Sequence, residues 1–480
     1  MSSERDERLE VLKKLKEENQ AFKYEYSRDS KIEGLVEKYS EKEEEDLPDK
    51  NFSIAGRVVE ARNFGSLAFL DIRGEKAEIQ VMVQDEEILE FIDEYVQNGD
   101  IVGVNGYLKF TQKGEFSIQA QDFELLTKGV RPIPSDFYGV EDKETRYRDR
   151  PLHLISDLEA REVFRDRSKI ISQMRHYLED REFMEVETPV IQPVYGGANA
   201  EPFRTHIEDK DMDAYLRISP ELYLKRLVIG GFERVFEIGK DFRNESIDTT
   251  HNPEFTMMEL YQAYADYEDM MEITEEMIEE IALEVTGSAE VEYQGETIDL
   301  SAPWKRMTMV EAIEEYGGFN VLEFSDEEIK QKMDEHGAEL DSSYERGLAI
   351  AELFEEIAEE NLTQPVHIID HPQETTPLCM DHREKEGMIE RFESFIAGME
   401  VSNAYTELRD PVQQRKHFEK EEERQESGDD EAHPIDMDFV NALELGMPPT
   451  GGLGIGVDRI AMLLTDQESI RDVLLFPMMK

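Results

Sequence analysis

The sequence predicts an α+β protein that begins with a β-barrel and continues into a larger domain of helices and strands. Three patterns support this prediction: strand periodicity over residues 51–126, amphipathic helical periodicity on both sides of it, and a hairpin pattern over 237–261. At 480 residues, the chain is long enough for two or three domains and a large buried core.

The barrel is predicted from five strand-like segments, 52–60, 67–72, 78–83, 101–110 and 116–125, with a helical segment at 86–96. Five strands with one helix between the third and fourth is the plan of an OB-fold. OB-folds bind single-stranded nucleic acid by stacking bases on aromatic side chains and contacting phosphates with basic ones. Phe69 is therefore a candidate for stacking, Gln80 for a base edge and Arg62 for a base or phosphate. The pattern alone also allows Phe69 in the core and Arg62 as a surface charge.

Composition divides the chain into four segments. Residues 1–48 form a helical segment, with a helix expected at 4–25, and residues 49–130 form the OB-fold. Residues 131–155 are rich in Pro, Gly and charge and predict a linker. Residues 156–480 form the larger domain, in which a stretch around 265–365 has amphipathic acidic helices and a short β pair near 291–300. We find no chemical motif in that stretch.

The chain is strongly acidic throughout, with 112 acidic and 53 basic residues and a formal net charge of −59. Such a charge is typical of disorder, but 39% hydrophobic residues indicate a packed core. A uniformly acidic surface suggests that the protein functions at high salt, where screening removes most of the repulsion between its acidic groups. We therefore expect a halophilic protein from a cytoplasm with near-molar potassium chloride.

Cysteine use and apolar runs indicate the compartment. The single cysteine, Cys379, excludes an intramolecular disulfide and argues against a cysteine-based zinc site. No apolar run has the length of a membrane span, and the N-terminal residues have no apolar signal core. A reduced cytoplasmic location is expected.

The hairpin pattern at 237–261 carries the first chemical signal. Arg243 offers a fork of donors suited to a carboxylate or phosphate, and Glu245 is expected on the same strand face. A structural ion pair between the two is the alternative.

A second chemical signal lies at 390–408, where Glu393, Glu400, Asn403, Tyr405 and Glu407 are interleaved with apolar residues. The last three alternate with period two and share a strand face. Carboxylates directed into an apolar sheet are costly unless they meet a cation, either magnesium or a substrate ammonium. An amphipathic edge strand is the alternative.

Glycine-containing segments give weaker signals. Gly197 lies in a loop at 195–205, and Glu221 lies at the start of a predicted helix. Residues 446–459 are rich in glycine and end in Arg459 before an apolar helix, which suits a nucleotide phosphate. Tight turns and helix-dipole compensation are the alternatives for these segments.

The stretch FRNE…HNPEFTMMELY resembles motif 2 of the class II aminoacyl-tRNA synthetases and, in detail, the lysyl-tRNA synthetases. A helix at 161–181 followed by a strand ending at Pro189 resembles motif 1, GLGIGVDR resembles motif 3, and 428–432 resembles a family loop. The resemblance covers nearly the whole chain. It implies a class II catalytic domain, built from an antiparallel sheet flanked by helices, and a homodimer.

The resemblance also implies ligands and site residues. The ATP site would comprise Arg243, Glu245, His251, Phe255, Glu393, Glu400 and Arg459, with Mg²⁺ on Glu393 and Glu400 and with Arg243 and Arg459 as catalytic residues. The lysine site would comprise Gly197, Glu221, Arg243, Glu259, Tyr261, Asn403, Tyr405 and Glu407. Arg62, Phe69 and Gln80 would bind the anticodon of tRNA(Lys).

The activity implied is activation of lysine with ATP and transfer of lysine to tRNA. A pocket for a cationic side chain should be acidic, whereas one for aspartate should carry Arg or Lys, and Glu407 therefore favours lysine over aspartate or asparagine. A non-catalytic RNA-binding relative and an aspartate or asparagine ligase are the alternatives.

Overall fold

The computed structural model describes residues 2–133, 142–340, 344–426 and 434–479. The chain forms two compact units, one of Met1–Arg146 with Pro151–Leu158 and the other of Tyr147–Arg150 with Glu159–Lys480. The loop at 428–432 lies outside the described residues. Within the described part of the chain, no helix is both long enough and apolar enough to cross a membrane.

The first unit contains a closed five-stranded barrel, which confirms the predicted OB-fold. Its elements are α1 (Ser2–Glu17), α2 (Ile32–Tyr39), β1 (Asn51–Asn63), β2 (Ala68–Arg73), β3 (Glu78–Val83), α3 (Glu86–Tyr95), β4 (Ile101–Phe110) and β5 (Phe116–Thr127). The strand order is β1-β2-β3-β5-β4, with β4 pairing back to β1. Alternate residues such as Ile54, Leu70, Val81 and Val104 fill the barrel core.

Helix α1 ends eight residues before the predicted end at residue 25. Asn19 takes a left-handed conformation with φ of +58°, which ends the helix. The chain then follows the barrel, where the Lys23 backbone N–H donates to the Leu126 carbonyl at 2.9 Å. Leu15 is fully buried, whereas Leu9 and Leu12 are half-buried.

The predicted linker at 131–155 contains helical structure that the sequence analysis missed. Two short helices, α4 (Lys143–Arg148) and α5 (Arg150–Ser156), lie in its C-terminal part, and residues 134–141 lie outside the described residues. Pro151 lies in the first turn of α5, where its missing N–H breaks no helical hydrogen bond. Tyr147 is buried and donates to Asp472 Oδ1 at 2.8 Å, a long-range contact that local composition does not reveal.

The second unit is built on an eight-stranded sheet. Its elements are α6 (Glu159–Asp180), β6 (Met184–Glu185), β7 (Ile191–Gln192), β8 (Arg204–Ile207), β9 (Met212–Leu216), α7 (Glu221–Ile229), β10 (Arg234–Phe242), β11 (Glu254–Ala263), α8 (Tyr267–Thr286), β12 (Glu290–Tyr293), β13 (Glu296–Asp299), β14 (Lys305–Thr308), α9 (Met309–Gly317), α10 (Asp326–His336), α11 (Arg346–Ala358), β15 (Val366–Pro372), β16 (Met388–Ile396), β17 (Met399–Thr406), α12 (Pro411–Glu426), α13 (Met437–Leu443), β18 (Thr450–Gly456), α14 (Val457–Leu464) and α15 (Ile470–Val473).

The strand order of this sheet is β14-β15-β16-β17-β18-β11-β10-β6. The six central strands are antiparallel, and the two edge strands pair in parallel with their neighbours. This arrangement confirms the predicted α+β class and the antiparallel sheet flanked by helices. The small strands form a β12-β13 pair and a β7-β9-β8 sheet.

The two faces of the large sheet have different roles. Helices α6, α8 and α14 pack on one face, where Met270 and Ile460 meet Leu260, Phe392 and Leu453 of the strands. Because side chains alternate along a strand, the residues between these core positions point to the other face. Helices α7 and α13 cover part of that face, and it carries the site described below.

The stretch predicted as an insertion contributes to two different cores. Helix α8 packs in the main core, and β14 joins the edge of the large sheet beside β15. Helices α9, α10 and α11 build a separate cluster around Ile313, Ile329, Leu353 and Phe354.

Candidate active site

A cavity of about 350 Å³ lies on the sheet face opposite the main helical core. Residues from β11, β16, β17 and β18, the β10–β11 loop and the start of α14 line it. The structure brings to this one cavity all the residues predicted for the ATP and lysine sites: Gly197, Glu221, Arg243, Glu245, His251, Phe255, Glu259, Tyr261, Glu393, Glu400, Asn403, Tyr405, Glu407 and Arg459.

The predicted hairpin is formed by β10 and β11, but its charged residues lie elsewhere than expected. Strand pairing runs to Phe242 opposite Glu254, so Arg243 and Glu245 lie in the connecting loop and not on a strand face. The reason is a turn held by the Asp248 carboxylate, which accepts the backbone N–H groups of Thr250 and His251, each at 2.7 Å. The prediction of a shared strand face was therefore wrong.

The alternative of an Arg243–Glu245 ion pair is not supported. Glu245 Oε1 accepts the backbone N–H of Glu201 at 3.2 Å. The Arg243 guanidinium lies over the Phe255 ring, 5.2 Å from its centroid, and its buried Nε has no hydrogen-bond partner among the described residues. A buried donor without a partner costs free energy, so this guanidinium is prepared for an anionic ligand.

Arg459 joins three chain segments at one end of the cavity. Its Nη1 lies 3.2 Å from Glu400 Oε2, and its Nη2 lies 3.2 Å from His251 Nε2. His251 in turn contacts Asp248 through Nδ1 at 2.8 Å. Behind Arg459, the Asp458 carboxylate accepts the Thr256 backbone N–H at 2.8 Å, which fixes the start of α14 against β11.

Glu393 and Glu400 lie on the paired strands β16 and β17 in carboxylate-rich surroundings. Burial and neighbouring carboxylates, Glu393 and Glu400 among them, raise the pKa of Glu355 to about 8 and the pKa of Glu359 to about 7. This end of the cavity is therefore rich in carboxyl groups, and a cation bound there would favour their ionised form.

Arg391 is a cavity residue that the sequence analysis missed. It forms an ion pair with Glu393, and its Nε donates to Asn403 Oδ1 at 3.1 Å. Arg391 precedes Glu393 by two residues on β16, so the period-two argument that grouped Asn403 with Tyr405 and Glu407 also predicts this position.

The opposite end of the cavity contains three buried carboxylates, Glu221, Glu259 and Glu407, which are 4%, 6% and 0% exposed. Glu259 accepts hydrogen bonds from Ser219 Oγ at 2.8 Å and from the Tyr261 hydroxyl at 3.0 Å. The Tyr405 hydroxyl donates to Glu221 Oε1 at 2.7 Å.

Burial dominates the electrostatics of these carboxylates. Together with the nearby Asp241 and Glu221, it raises the pKa of Glu259 to about 8. Glu407 Oε1 has no hydrogen-bond partner among the described residues, and it lies where a Cβ on Gly452 would come within 2.0 Å. This end of the cavity therefore favours a cationic ligand.

Lys225, on α7, was also missed. It lies one turn after Glu221, is 1% exposed, and forms ion pairs with both Glu221 and Glu407. The spacing of four residues between Glu221 and Lys225 is the only sequence signal for the first pair.

In the barrel, the three predicted anticodon residues share one face. Arg62 on β1 lies opposite Phe69 on β2, and Gln80 on β3 lies opposite Asp71, two residues after Phe69. Phe69 is half-buried, whereas Ala68 and Leu70 beside it point into the core, so the core alternative for Phe69 was wrong.

The polar groups of Arg62 and Gln80 already have partners within the barrel. Arg62 forms ion pairs with Glu60 at 2.9 Å and Asp71 at 2.7 Å, and Gln80 Oε1 accepts Ser117 Oγ at 3.1 Å. Phe64, which is 67% exposed and 6.3 Å from the Phe69 ring, adds an aromatic surface that the sequence analysis missed.

An antiparallel sheet with a nucleotide-sized cavity on one face, together with an OB-fold, is the construction of a class II synthetase. The chain belongs to the class II tRNA synthetases described as D, K and N, which it matches over residues 142–480, and residues 52–126 match the OB-fold nucleic acid binding domain.

Three similar proteins are named lysine–tRNA ligase. The chain is 48% identical to the lysine–tRNA ligase of Methanoculleus marisnigri over 479 residues, which cover 98% of this chain and 94% of the relative. It is 47% identical to the lysine–tRNA ligase of Clostridium novyi, over 91% of this chain and 87% of that protein. It is 46% identical to the lysine–tRNA ligase of Staphylococcus aureus strain MRSA252, over 96% and 94% of the two chains.

Proposed function

We propose that this protein is a lysine–tRNA ligase, which activates lysine with ATP and transfers it to tRNA(Lys). One observation carries the proposal. Three buried carboxylates, Glu221, Glu259 and Glu407, share a single cavity with three guanidinium groups, those of Arg243, Arg391 and Arg459. The acidic end of the cavity therefore suits ammonium groups, and its guanidinium groups suit phosphates and a carboxylate.

In the first step, an oxygen of the lysine carboxylate bonds to the α-phosphorus of ATP, and the bond from that phosphorus to the bridging oxygen breaks to release pyrophosphate. Arg243 holds the carboxylate and the α-phosphate, and Arg459 steadies the leaving phosphates. Phe255 supports the adenine ring, while Glu245 and His251 bind the nucleotide. Catalysis here rests on positioning and on stabilised charge, without a protein general base.

In the second step, the hydroxyl of the 3′-terminal adenosine of tRNA attacks the carbonyl carbon of the lysyl-adenylate, and AMP leaves. Gly197, Glu221 and Glu259 hold the α-ammonium side of the amino acid. Tyr261, Asn403, Tyr405 and Glu407 surround the side chain, whose ammonium pairs with Glu407.

Glu393 and Glu400 are the residues that would hold Mg²⁺. The excess of carboxylates around them fits a hard divalent cation that takes one or two protein carboxylates and completes its shell with phosphate oxygens. When bound, such an ion neutralises charge on the phosphates. Arg391 holds Glu393 from the side of Asn403 and thereby orients it.

The decisive experiment is ATP–pyrophosphate exchange with lysine, aspartate and asparagine as separate substrates. We expect exchange with lysine, because an aspartate side chain would place a carboxylate among three buried carboxylates. Exchange that depends on aspartate or asparagine, or no exchange with any of the three, would contradict the proposal.

For tRNA, we assign residues 49–130 to anticodon binding and residues 156–480 to catalysis. The common outer face of Arg62, Phe69 and Gln80 supports this assignment. An acidic protein repels phosphate, and high salt weakens phosphate contacts, so recognition depends on stacking and base hydrogen bonds at Phe69 and Gln80.

A homodimer in a salt-rich, reducing cytoplasm completes the proposal. Met184, Val190 and Ile191, which follow α6, are 42%, 40% and 51% exposed and provide apolar surface beside the motif 1 segment. The mass in solution, measured by light scattering in molar potassium chloride, tests the dimer. A monomer would contradict it.

A further inference from the structure

Lys225 forms no part of the cavity lining, yet it contacts two of the three carboxylates at the acidic end. Its ammonium pairs with Glu221 one turn earlier on α7 and with Glu407, which directly follows β17. A lysine 1% exposed to solvent loses its hydration, and these two carboxylates offset that cost. A single internal cation therefore bridges two parts of the proposed lysine pocket.

The surroundings of this ammonium are aromatic and acidic. Its Nζ lies 5.3 Å from the Tyr405 ring centroid, 5.9 Å from that of Tyr261 and 5.9 Å from that of Phe439 on α13. The titratable groups Tyr261, Tyr405, Glu259 and the buried Cys379 also interact with Glu407. The neighbouring Arg217 is engaged separately, with its Nε 3.0 Å from Asp241.

The two bridged carboxylates each use one oxygen for protein contacts. Glu221 meets both Lys225 and the Tyr405 hydroxyl through Oε1. Glu407 meets Lys225 through Oε2, and its buried Oε1 has no hydrogen-bond partner among the described residues. Each carboxylate thus presents its second oxygen for another donor.

We propose that Lys225 is a resident counter-cation of the amino-acid pocket, a positioning residue that sets the charge and the orientation of Glu221 and Glu407. When a bound cation has drawn all three carboxylates into the ionised form, three carboxylates and one ammonium leave two negative charges, which match the α- and ε-ammonium groups of a diamino acid. The inference rests on the proposed function, because it takes lysine as the ligand.

The charge balance has a consequence for protonation. Burial raises the pKa of Glu407, and the Lys225 ammonium opposes that rise. Without Lys225, Glu407 would bind a proton more readily, and a protonated carboxyl cannot form an ion pair with lysine. Loss of Lys225 should therefore weaken lysine binding most at low pH.

The test compares Lys225→Met with the native chain in lysine-dependent ATP–pyrophosphate exchange in molar potassium chloride. We expect the lysine KM of the variant to rise about tenfold or more near pH 7 and by a smaller factor near pH 9, because higher pH favours the ionised form of Glu407. The ATP KM should change by less than about twofold, since Lys225 pairs with Glu221 and Glu407 of the proposed lysine site and not with residues of the proposed ATP site.

Arg226→Met is the matched control. Arg226 is on the same helix and forms an ion pair with Asp436, outside the cavity lining. It should lower the melting temperature without a pH-dependent change in the lysine KM. If Lys225→Met does not fold, Lys225→Gln, which also removes the charge but keeps a donor, serves with the same expected pH signature.

Three results separate the possibilities. An unchanged lysine KM, or equal rises in the lysine and ATP KM at every pH, would overturn the inference and leave the proposed function intact. The pH-dependent rise in the lysine KM alone supports it. Absence of lysine-dependent exchange in the native protein would instead refute the proposed function itself, whatever the variant does.

Discussion

Lysine binding should weaken as the pH falls from about 9 to about 6, because Glu259 must be ionised to accept an ammonium group. Burial, Asp241 and Glu221 raise the pKa of this carboxyl to about 8 in the free protein. A raised pKa means that the proton is held below pH 8. A cationic ligand favours the ionised form, so binding has to expel that proton.

The size of the effect follows from the pKa. At pH 7, one unit below the pKa of about 8, roughly one tenth of the Glu259 side chains are ionised. Lysine affinity is then about tenfold below its limit at high pH, a difference of about 1.4 kcal/mol, and each bound lysine releases about 0.9 proton from Glu259. A fall of one more pH unit lowers the lysine affinity by about a further factor of ten.

Isothermal titration of lysine at pH 7, in buffers with different ionisation enthalpies, measures this proton release. The observed enthalpy should depend linearly on the buffer ionisation enthalpy, with a slope near one proton. Glu259→Gln should reduce the slope and flatten the pH dependence of the dissociation constant. A slope close to zero in the native protein would show that Glu259 is already ionised and would refute the reasoning.

Three further outcomes are expected. Phe69→Ala should reduce tRNA charging about 5- to 150-fold, because about 1–3 kcal/mol of stacking is lost, and should leave pyrophosphate exchange unchanged. The control Tyr107→Ala, at an exposed position on β4, should change neither activity. Equal loss of both activities in Phe69→Ala would contradict the assignment. Glu407→Gln should lower kcat/KM for lysine in pyrophosphate exchange about 30-fold or more, which corresponds to a loss of about 2–5 kcal/mol. The control Glu419→Gln, at an exposed position, should leave kcat/KM unchanged. The melting temperature should rise between about 0.1 M and about 2 M potassium chloride, because salt screens the net charge of −59, and full stability at low salt would count against a halophilic origin.

Periodicity carried the sequence analysis furthest where the secondary structure is regular. The five barrel strands, the hairpin and the face shared by Asn403 and Tyr405 follow from alternation with period two, which each strand imposes locally. The charge sign of the pocket could likewise be predicted, because Glu259 stands between Met258 and Leu260 and Glu407 stands between Thr406 and Leu408, all of which are buried.

The errors came from side-chain contacts, one within a local turn and the others between distant residues. The loop position of Arg243 depends on a turn that Asp248 builds with its own neighbours, and Lys225 reaches Glu407 across 182 residues of chain. The helices in the predicted linker are held by contacts such as Tyr147 with Asp472. None of these contacts leaves a periodic pattern in the sequence.

Acidic residues have opposite physical roles on the surface and in the cavity of this chain. An exposed glutamate is hydrated and screened, so at high salt it contributes little to any one contact. Glu221, Glu259 and Glu407 are almost fully buried, so salt barely screens them and a cation in direct contact favours their ionised form. One such cation, that of Lys225, is built into the chain, and the remaining charge is left for the substrate. Buried carboxylates can therefore select a diamino acid even at a salt concentration that weakens contacts between the protein and RNA phosphates. Because the pocket is buried and the barrel face is exposed, the pocket can depend on ion pairs, whereas the barrel has to depend on stacking.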